Sequence, residues 1–209
     1  MFRNVRDFSA AVVTSGAALV LLTACGGGTD GASMGGHDMS SSAPAATTTS
    51  AQPVAAFNDA DVMFAQMMIP HHEQAVEMAG LAETRASDKE IRELAAKIKA
   101  AQDPEIQTMR GWLTEWGKPM PSEGMDHGMG HDMPGMMSEE DMKKLKDAKG
   151  AAFDRRFAEL MIAHHDGAIE MARTEQSQGS DPEAKELAKA IEAAQQAEVE
   201  QMQAILKRL

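Results

Sequence analysis

Two histidine pairs, His71-His72 and His164-His165, stand in otherwise apolar helical patterns, and the chain writes their surroundings twice. The run Met67-Met68-Ile69-Pro70-His71-His72-Glu73-Gln74-Ala75-Val76-Glu77-Met78-Ala79 returns as Leu160-Met161-Ile162-Ala163-His164-His165-Asp166-Gly167-Ala168-Ile169-Glu170-Met171-Ala172. The same gap-free register pairs Asp61 with Asp154, Ser87-Asp88 with Ser180-Asp181, and Gln102, Glu105 and Met109 with Gln195, Glu198 and Met202. Such a register is an internal duplication. Imidazole nitrogens bind borderline metals, and thioether sulfurs select Cu(I) over hard cations. A carboxylate on an apolar face is costly unless it is paired or bound to metal. His71, His164, Met68, Met161, Met78, Met171, Glu105 and Glu198 are therefore candidate copper ligands. The competing reading makes Glu105 or Glu198 the hydrogen-bond partner of His71 or His164, with the methionines as core filler. His72 and His165 lie about 100° further round the helix, as second ligands or as interface residues. Glu77 and Glu170 lie further round still, where solvent or a salt bridge would serve them.

A second candidate is the stretch 117–137, which holds Met120, Met125, Met129, Met133, Met136 and Met137 with His127 and His131 among Gly and Asp. An exposed loop has little packing reason to hold six methionines, so the stretch is expected to bind Cu(I) independently of the fold. The competing reading is a linker in which Met is incidental. A smaller cluster, Met34-Gly35-Gly36-His37-Asp38-Met39, carries little by itself.

The elements that must position these groups are helices. Phe64, Met68, His71, Ala75 and Met78 step by four, three, four and three residues, one face of a 3.6-residue helix, and Phe157, Met161, His164, Ala168 and Met171 repeat it. Leu94, Ile98, Gln102, Glu105 and Met109 form a second stripe, repeated by Leu187, Ile191, Gln195, Glu198 and Met202. The first helix is expected from an Asn58 or Asp59 cap to about Glu83. Ser87 with Glu90, and Ser180 with Glu183, read as capping boxes. The second helix runs to about Trp116, where Gly117 and Pro119 stop it. Pro70 and Pro104 should kink or restart their helices, and Ala stands at both positions in the second copy. Ser138 with Asp141 caps a short helix ending near Gly150. Helices from Ala151 to about Glu175 and from Pro182 to the C-terminus complete the set. Four main helices in two hairpins make an all-α, four-helix bundle over residues 57–209.

The preceding residues read as targeting and tether. Arg3 and Arg6 precede an apolar run, Ala10 to Leu22, too short to span a bilayer. Residues 1–24 are accordingly expected to be a signal peptide. Leu22-Thr23-Ala24-Cys25 resembles a bacterial lipobox, which implies cleavage before Cys25 and lipidation of its thiol, anchoring the protein outside the cytoplasmic membrane. Cys25 is the single cysteine, so no intramolecular disulfide can form. The Gly, Ser, Thr, Ala and Pro of residues 25–56 cannot bury enough surface to fold and read as a flexible tether. A formal net charge of −12 argues against nucleic acid as a partner.

The twin segments around His71-His72 and His164-His165, with Gln102-x-x-Glu105-x-x-x-Met109-x-x-Trp112-Leu113, resemble the bacterial domain-of-unknown-function family number 305 over residues 58–209. The resemblance implies a ferritin-like four-helix bundle in exported proteins, some of which bind copper and support copper tolerance. It supplies no catalytic residues. Ile205-Leu206 replaces Trp112-Leu113 in the second copy, so any role of Trp112 belongs to one half. Three functions compete. The first, favoured, is a copper-binding lipoprotein that sequesters Cu(I) or hands it to a copper-trafficking protein, without being an enzyme. The second is a dinuclear metal oxidase, against which the Glu-x-x-His pairing of di-iron bundles is missing from the chain. The third is a metal-free envelope adaptor or stress protein.

Overall fold

The computed structural model describes residues 57–121 and 133–209. The expected signal peptide (residues 1–24), Cys25, the expected tether, Met125, His127, Met129 and His131 lie outside the described residues. Within them all regular structure is helical: α1 (Asp59–Arg85), α2 (Lys89–Glu115), α3 (Glu139–Asp147), α4 (Ala151–Gln178) and α5 (Pro182–Leu206). The hairpins α1–α2 and α4–α5 pack together through α1 and α4, while α2 and α5 touch less and the short α3 leans on α1 and α4.

The turns of the two hairpins are held by each other's first helix. Asp154 at the start of α4 accepts the Ser87 and Asp88 amides at 3.0 and 2.9 Å, and also the Ser87 hydroxyl. Reciprocally, Asp61 of α1 accepts the Ser180 and Asp181 amides at 3.0 and 2.9 Å, and the Asn58 amide at 2.6 Å. With the serine amides taken this way, the capping boxes expected at Ser87 and Ser180 do not form. The N-caps are the next residues. Asp88 accepts from the Glu90 and Ile91 amides, and Asp181 from those of Glu183 and Ala184. Asn58, one of the two caps expected, caps α1 in a box with Asp61, and Ser138 caps α3 as expected from the sequence.

The prolines do not restart their helices, one of the two outcomes expected of them. Both α1 and α2 run unbroken for 27 residues through Pro70 and Pro104. One lost backbone bond and the ring clash cost on the order of 3 kcal/mol. Burying Met68 and Ile69 beside Pro70 recovers about 1.5–3 kcal/mol each, and both are fully buried.

The apolar core is in two pieces. One holds Val62, Phe64, Met68 and Ile69 of α1 with Ile106 and Met109 of α2, Ala168 and Met171 of α4, and Ile191 of α5. The other holds Ala75 and Met78, Leu94 and Ile98, Phe157 and Met161, Val199 and Met202. This distribution makes neighbouring helices antiparallel. The residues between the two pieces on each helix are His71 and His72, Gln102, His164 and His165, and Gln195, all buried. A polar layer therefore crosses the bundle at mid-height.

One buried acid breaks the duplication. Glu175 of α4, 1% exposed, occupies the position that Ala82 holds in the first copy. No donor faces either of its oxygens, and burial followed by the adjacent Asp61 carboxyl pushes its pKa up to about 8. Near neutral pH Glu175 is thus a neutral acid beside the Asp61 carboxylate.

Asp154→Ala should destabilise the protein by about 1–3 kcal/mol, because it strands the amides of the α1–α2 turn, and urea unfolding at pH 7 measures it. Glu175 holds a proton in the folded chain that it loses in the unfolded one between pH 4.5 and about 8. Its contribution to stability is therefore complete below pH 4.5 and fades as the pH rises through 8. Thermal melting of Glu175→Gln should gain several degrees on the wild type between pH 5 and 8.

Candidate metal centre

His71 of α1 and His164 of α4 meet where the two central helices cross, with ring centroids 3.8 Å apart and planes tilted by 41°. The His165 ring centroid is 6.5 Å from that of His164. Each imidazole arrives by the apolar periodicity of its helix, which turns the stripe inward. Burial, then the neighbouring His72, lowers the His71 pKa to about 3, and burial followed by His71 holds His164 well below its ordinary value. Both rings are neutral at physiological pH, the form that binds a metal.

The hydrogen-bond partners decide where the protons sit. His72 Nε2 lies 2.7 Å from a Glu105 carboxylate oxygen, and His165 Nε2 lies 2.7 Å from Glu198. His71 Nε2 lies 3.1 Å from the Pro134 carbonyl. Carboxylates and carbonyls accept, so Nε2 donates in all three and, in the neutral ring, Nδ1 is a bare lone pair. None of these Nδ1 atoms has a partner, nor do the buried Gln102 and Gln195 side-chain oxygens or either nitrogen of His164. The layer is thus rich in buried acceptors and poor in donors, and an orphaned acceptor costs about 1–3 kcal/mol. A cation would satisfy several at once. The rings are tilted against one another rather than focused: among the described residues, no three His, Cys, Asp or Glu side chains are gathered round one point.

The sequence-predicted site residues divide into three groups. His71, His72, His164 and His165 come together in the layer. Glu105 and Glu198, candidate ligands in the sequence, reach it from its edge, 20% and 18% exposed in their side chains, and pair with His72 and His165, not with His71 and His164 as the competing reading had it. A carboxylate on the outer nitrogen of a histidine orients the ring and fixes its tautomer, as around metal-bound imidazoles. Met68, Met161, Met78 and Met171 are buried within the two apolar pieces, with Met68 and Met161 one turn before His71 and His164. Glu77 is exposed and pairs with Lys146, and Glu170 is exposed.

The end of the methionine-rich stretch packs on the helices. Met120 is exposed, whereas Met133, Met136 and Met137 are half-buried. The Gln74 side chain donates to the Met137 carbonyl at 3.0 Å and accepts its amide at 2.7 Å. Gln74, Pro134, Gln102 and Gln195 are site residues that the sequence reading left out of its ligand set. Gln102 and Gln195 already stood on the duplicated stripe, and Gln74 was visible as a position where the two copies differ.

The family model for a domain of unknown function, DUF305, matches residues 61–206. The chain belongs to this family. A DUF305 structure from Streptomyces coelicolor shares 35% identity, covers 71% of this chain and 93% of its own, and superposes with a TM-score of 0.65. A DUF305 fragment from Deinococcus radiodurans shares 32% identity, over 73% of this chain and 98% of its own, with a TM-score of 0.65. CopM in its Cu(II)-bound form shares 33% identity, over 71% of this chain and 96% of its own, with a TM-score of 0.61. No match was found among curated proteins. In this DUF305 chain, no helix among the described residues is long and apolar enough to cross a membrane.

The buried histidines predict acid sensitivity of the metal-free protein. Below pH 6.5 the unfolded chain protonates His71 and His164, which the folded chain resists until about pH 3 for His71. Stability that is complete above pH 6.5 is therefore lost as the pH falls, by up to about 1.4 kcal/mol per pH unit for each histidine. Urea unfolding at pH 7, 5.5 and 4.5 should show a shallower acid loss for His71→Gln/His164→Gln than for the wild type.

Proposed function

We propose that this chain is an extracytoplasmic copper-binding protein that holds Cu(I), or passes it on, in copper tolerance or homeostasis, and that it is not an enzyme. The observation that carries this reading is the set of buried lone pairs in the histidine layer with no donor to meet them. Neutral imidazoles suit copper in either oxidation state, and the surrounding thioethers favour Cu(I). CopM, which matches 71% of this chain at about one-third identity, has been solved with Cu(II), Cu(I) and Ag bound. In this reading His71, His72, His164 and His165 hold the ion, with Met68, Met161, Met78 and Met171 as the nearby thioethers on the same helix faces. Glu105 and Glu198 orient His72 and His165 from outside.

Met120, Met125, His127, Met129, His131, Met133, Met136 and Met137 add soft donors on the chain leading into the layer. Residues 1–24 direct export, and lipidation of Cys25 anchors the protein to the outer side of the cytoplasmic membrane. The binding reading is favoured over an oxidase because each layer carboxylate backs a histidine instead of facing a second metal position.

Competitive Cu(I) titration and apo melting of His71→Ala/His164→Ala test the site. Copper affinity should fall by well over tenfold, about 1.4 kcal/mol for each tenfold. The apo-protein should lose little beyond cavity effects, since His164 makes no hydrogen bond and His71 makes one. Unchanged copper affinity with a large loss of apo stability would refute the reading and leave the layer a purely structural one.

A further inference from the structure

The histidine layer is two-fold in sequence but not in its hydrogen bonds. His72 and His165 have matching carboxylate partners, whereas His71 has the Pro134 carbonyl and its counterpart His164 has nothing. The cause is the short strap, residues 133–137, that ends the methionine-rich stretch. Pro134-Gly135 lies directly on the backbone of α4. A Cβ at Gly167 would stand 2.0 Å from the Pro134 oxygen, and a Cβ at Gly135, where φ is +79°, would stand 2.7 and 2.8 Å from the carbonyl oxygens of Ala163 and His164. No side chain fits at either position without moving backbone. The register partner of Gly167 is Gln74, whose side chain holds Met137 at the other end of the strap by two hydrogen bonds. The duplicated position thus diverged into a notch on one helix and a clasp on the other, and both act on the same five residues.

We propose that the 133–137 strap is the positioning element for His71. Its carbonyl keeps the proton on Nε2, leaves Nδ1 bare in the layer, and so joins Met133 and Met136 of the strap and the histidine layer into one soft-metal site. Gly167 and Gln74 are the residues that seat it. A backbone carbonyl on the outer nitrogen is a recurrent partner of a metal-bound imidazole, and losing such a partner weakens metal binding roughly 10- to 100-fold. The strap also brings the half-buried Met133 and Met136 thioethers next to the residue that contacts His71. This inference rests on the copper reading, but its first consequence is a property of the metal-free chain.

Long-range proton–nitrogen spectra of the ¹⁵N-labelled apo full chain read the tautomer of each histidine. The wild type should show His71 wholly as the Nε2–H form, and His164 as a mixture. In Gly167→Ala, which pushes the strap off α4, His71 should become a mixture too. Gln74→Ala removes only the clasp and keeps the helix, so it serves if Gly167→Ala does not fold, and it should shift His71 the same way. Titration with Ag(I), as a redox-stable probe for Cu(I), should then show affinity at least tenfold weaker in the variants. An unchanged His71 tautomer in a folded variant overturns the proposal, and so does a changed tautomer with unaltered silver affinity. Failure of the copper reading itself would appear separately, as wild-type histidine resonances that silver leaves unmoved, and the tautomer comparison would still decide the role of the strap.

Discussion

Four imidazoles and two side-chain amides have to be buried at the mid-height of a bundle whose halves above and below are apolar. Burying polar groups without partners is among the costliest things a small core can do. The rest of the architecture is arranged around that cost. Glu105 and Glu198 reach in from the edge, each taking one ring proton, and the strap carbonyl takes a third. Every one of these contacts supplies an acceptor, so none relieves the unpartnered lone pairs. Three of the four rings are satisfied at Nε2, while their Nδ1 atoms and both nitrogens of His164 are left without partners. The two apolar halves supply the stability that makes such a layer tolerable.

Much of this was legible in the sequence because it is periodic and duplicated. The helical stripes placed His71, His164, Gln102 and Gln195 on inward faces, and the hairpin pairing followed from short turns. What escaped was anything settled by a rotation of about one residue or by a contact between distant segments. His72 and His165 looked like edge residues, yet the broad contact between α1 and α4 buries both neighbours of each pair. Glu105 then meets His72 because His71 is already facing His164. The caps fell one residue later than the serine signal suggested, since Ser87 and Ser180 were engaged by aspartates far along the chain. Gly167 gave no local warning at all: a glycine inside a helix announces a close approach only once the approaching backbone is known.

The asymmetries between the copies are concentrated where the two hairpins face different surroundings. Gln74 against Gly167 serves the strap, which exists on one side only. Ala82 against Glu175 puts a buried acid beside Asp61 and leaves the Asp154 end without one. A charge-neutral acid there lets two carboxyls share a proton in a space where two anions would repel.

The crossed aspartates have a meaning beyond the stability of the turns. Asp61 serves the turn of the second hairpin and Asp154 that of the first, so neither hairpin completes itself. Residue a of one unit on residue b of the other, with b on a in return, is the contact rule of an isologous two-fold dimer. One hairpin meeting a copy of itself would satisfy the same rule, with its first histidine facing its own image across the axis. Joining the two units in one chain keeps that geometry while releasing them from identity. A homodimer could not carry a glutamine on one partner and a glycine at the same position on the other, and so could not seat a single strap on one face of a shared histidine pair.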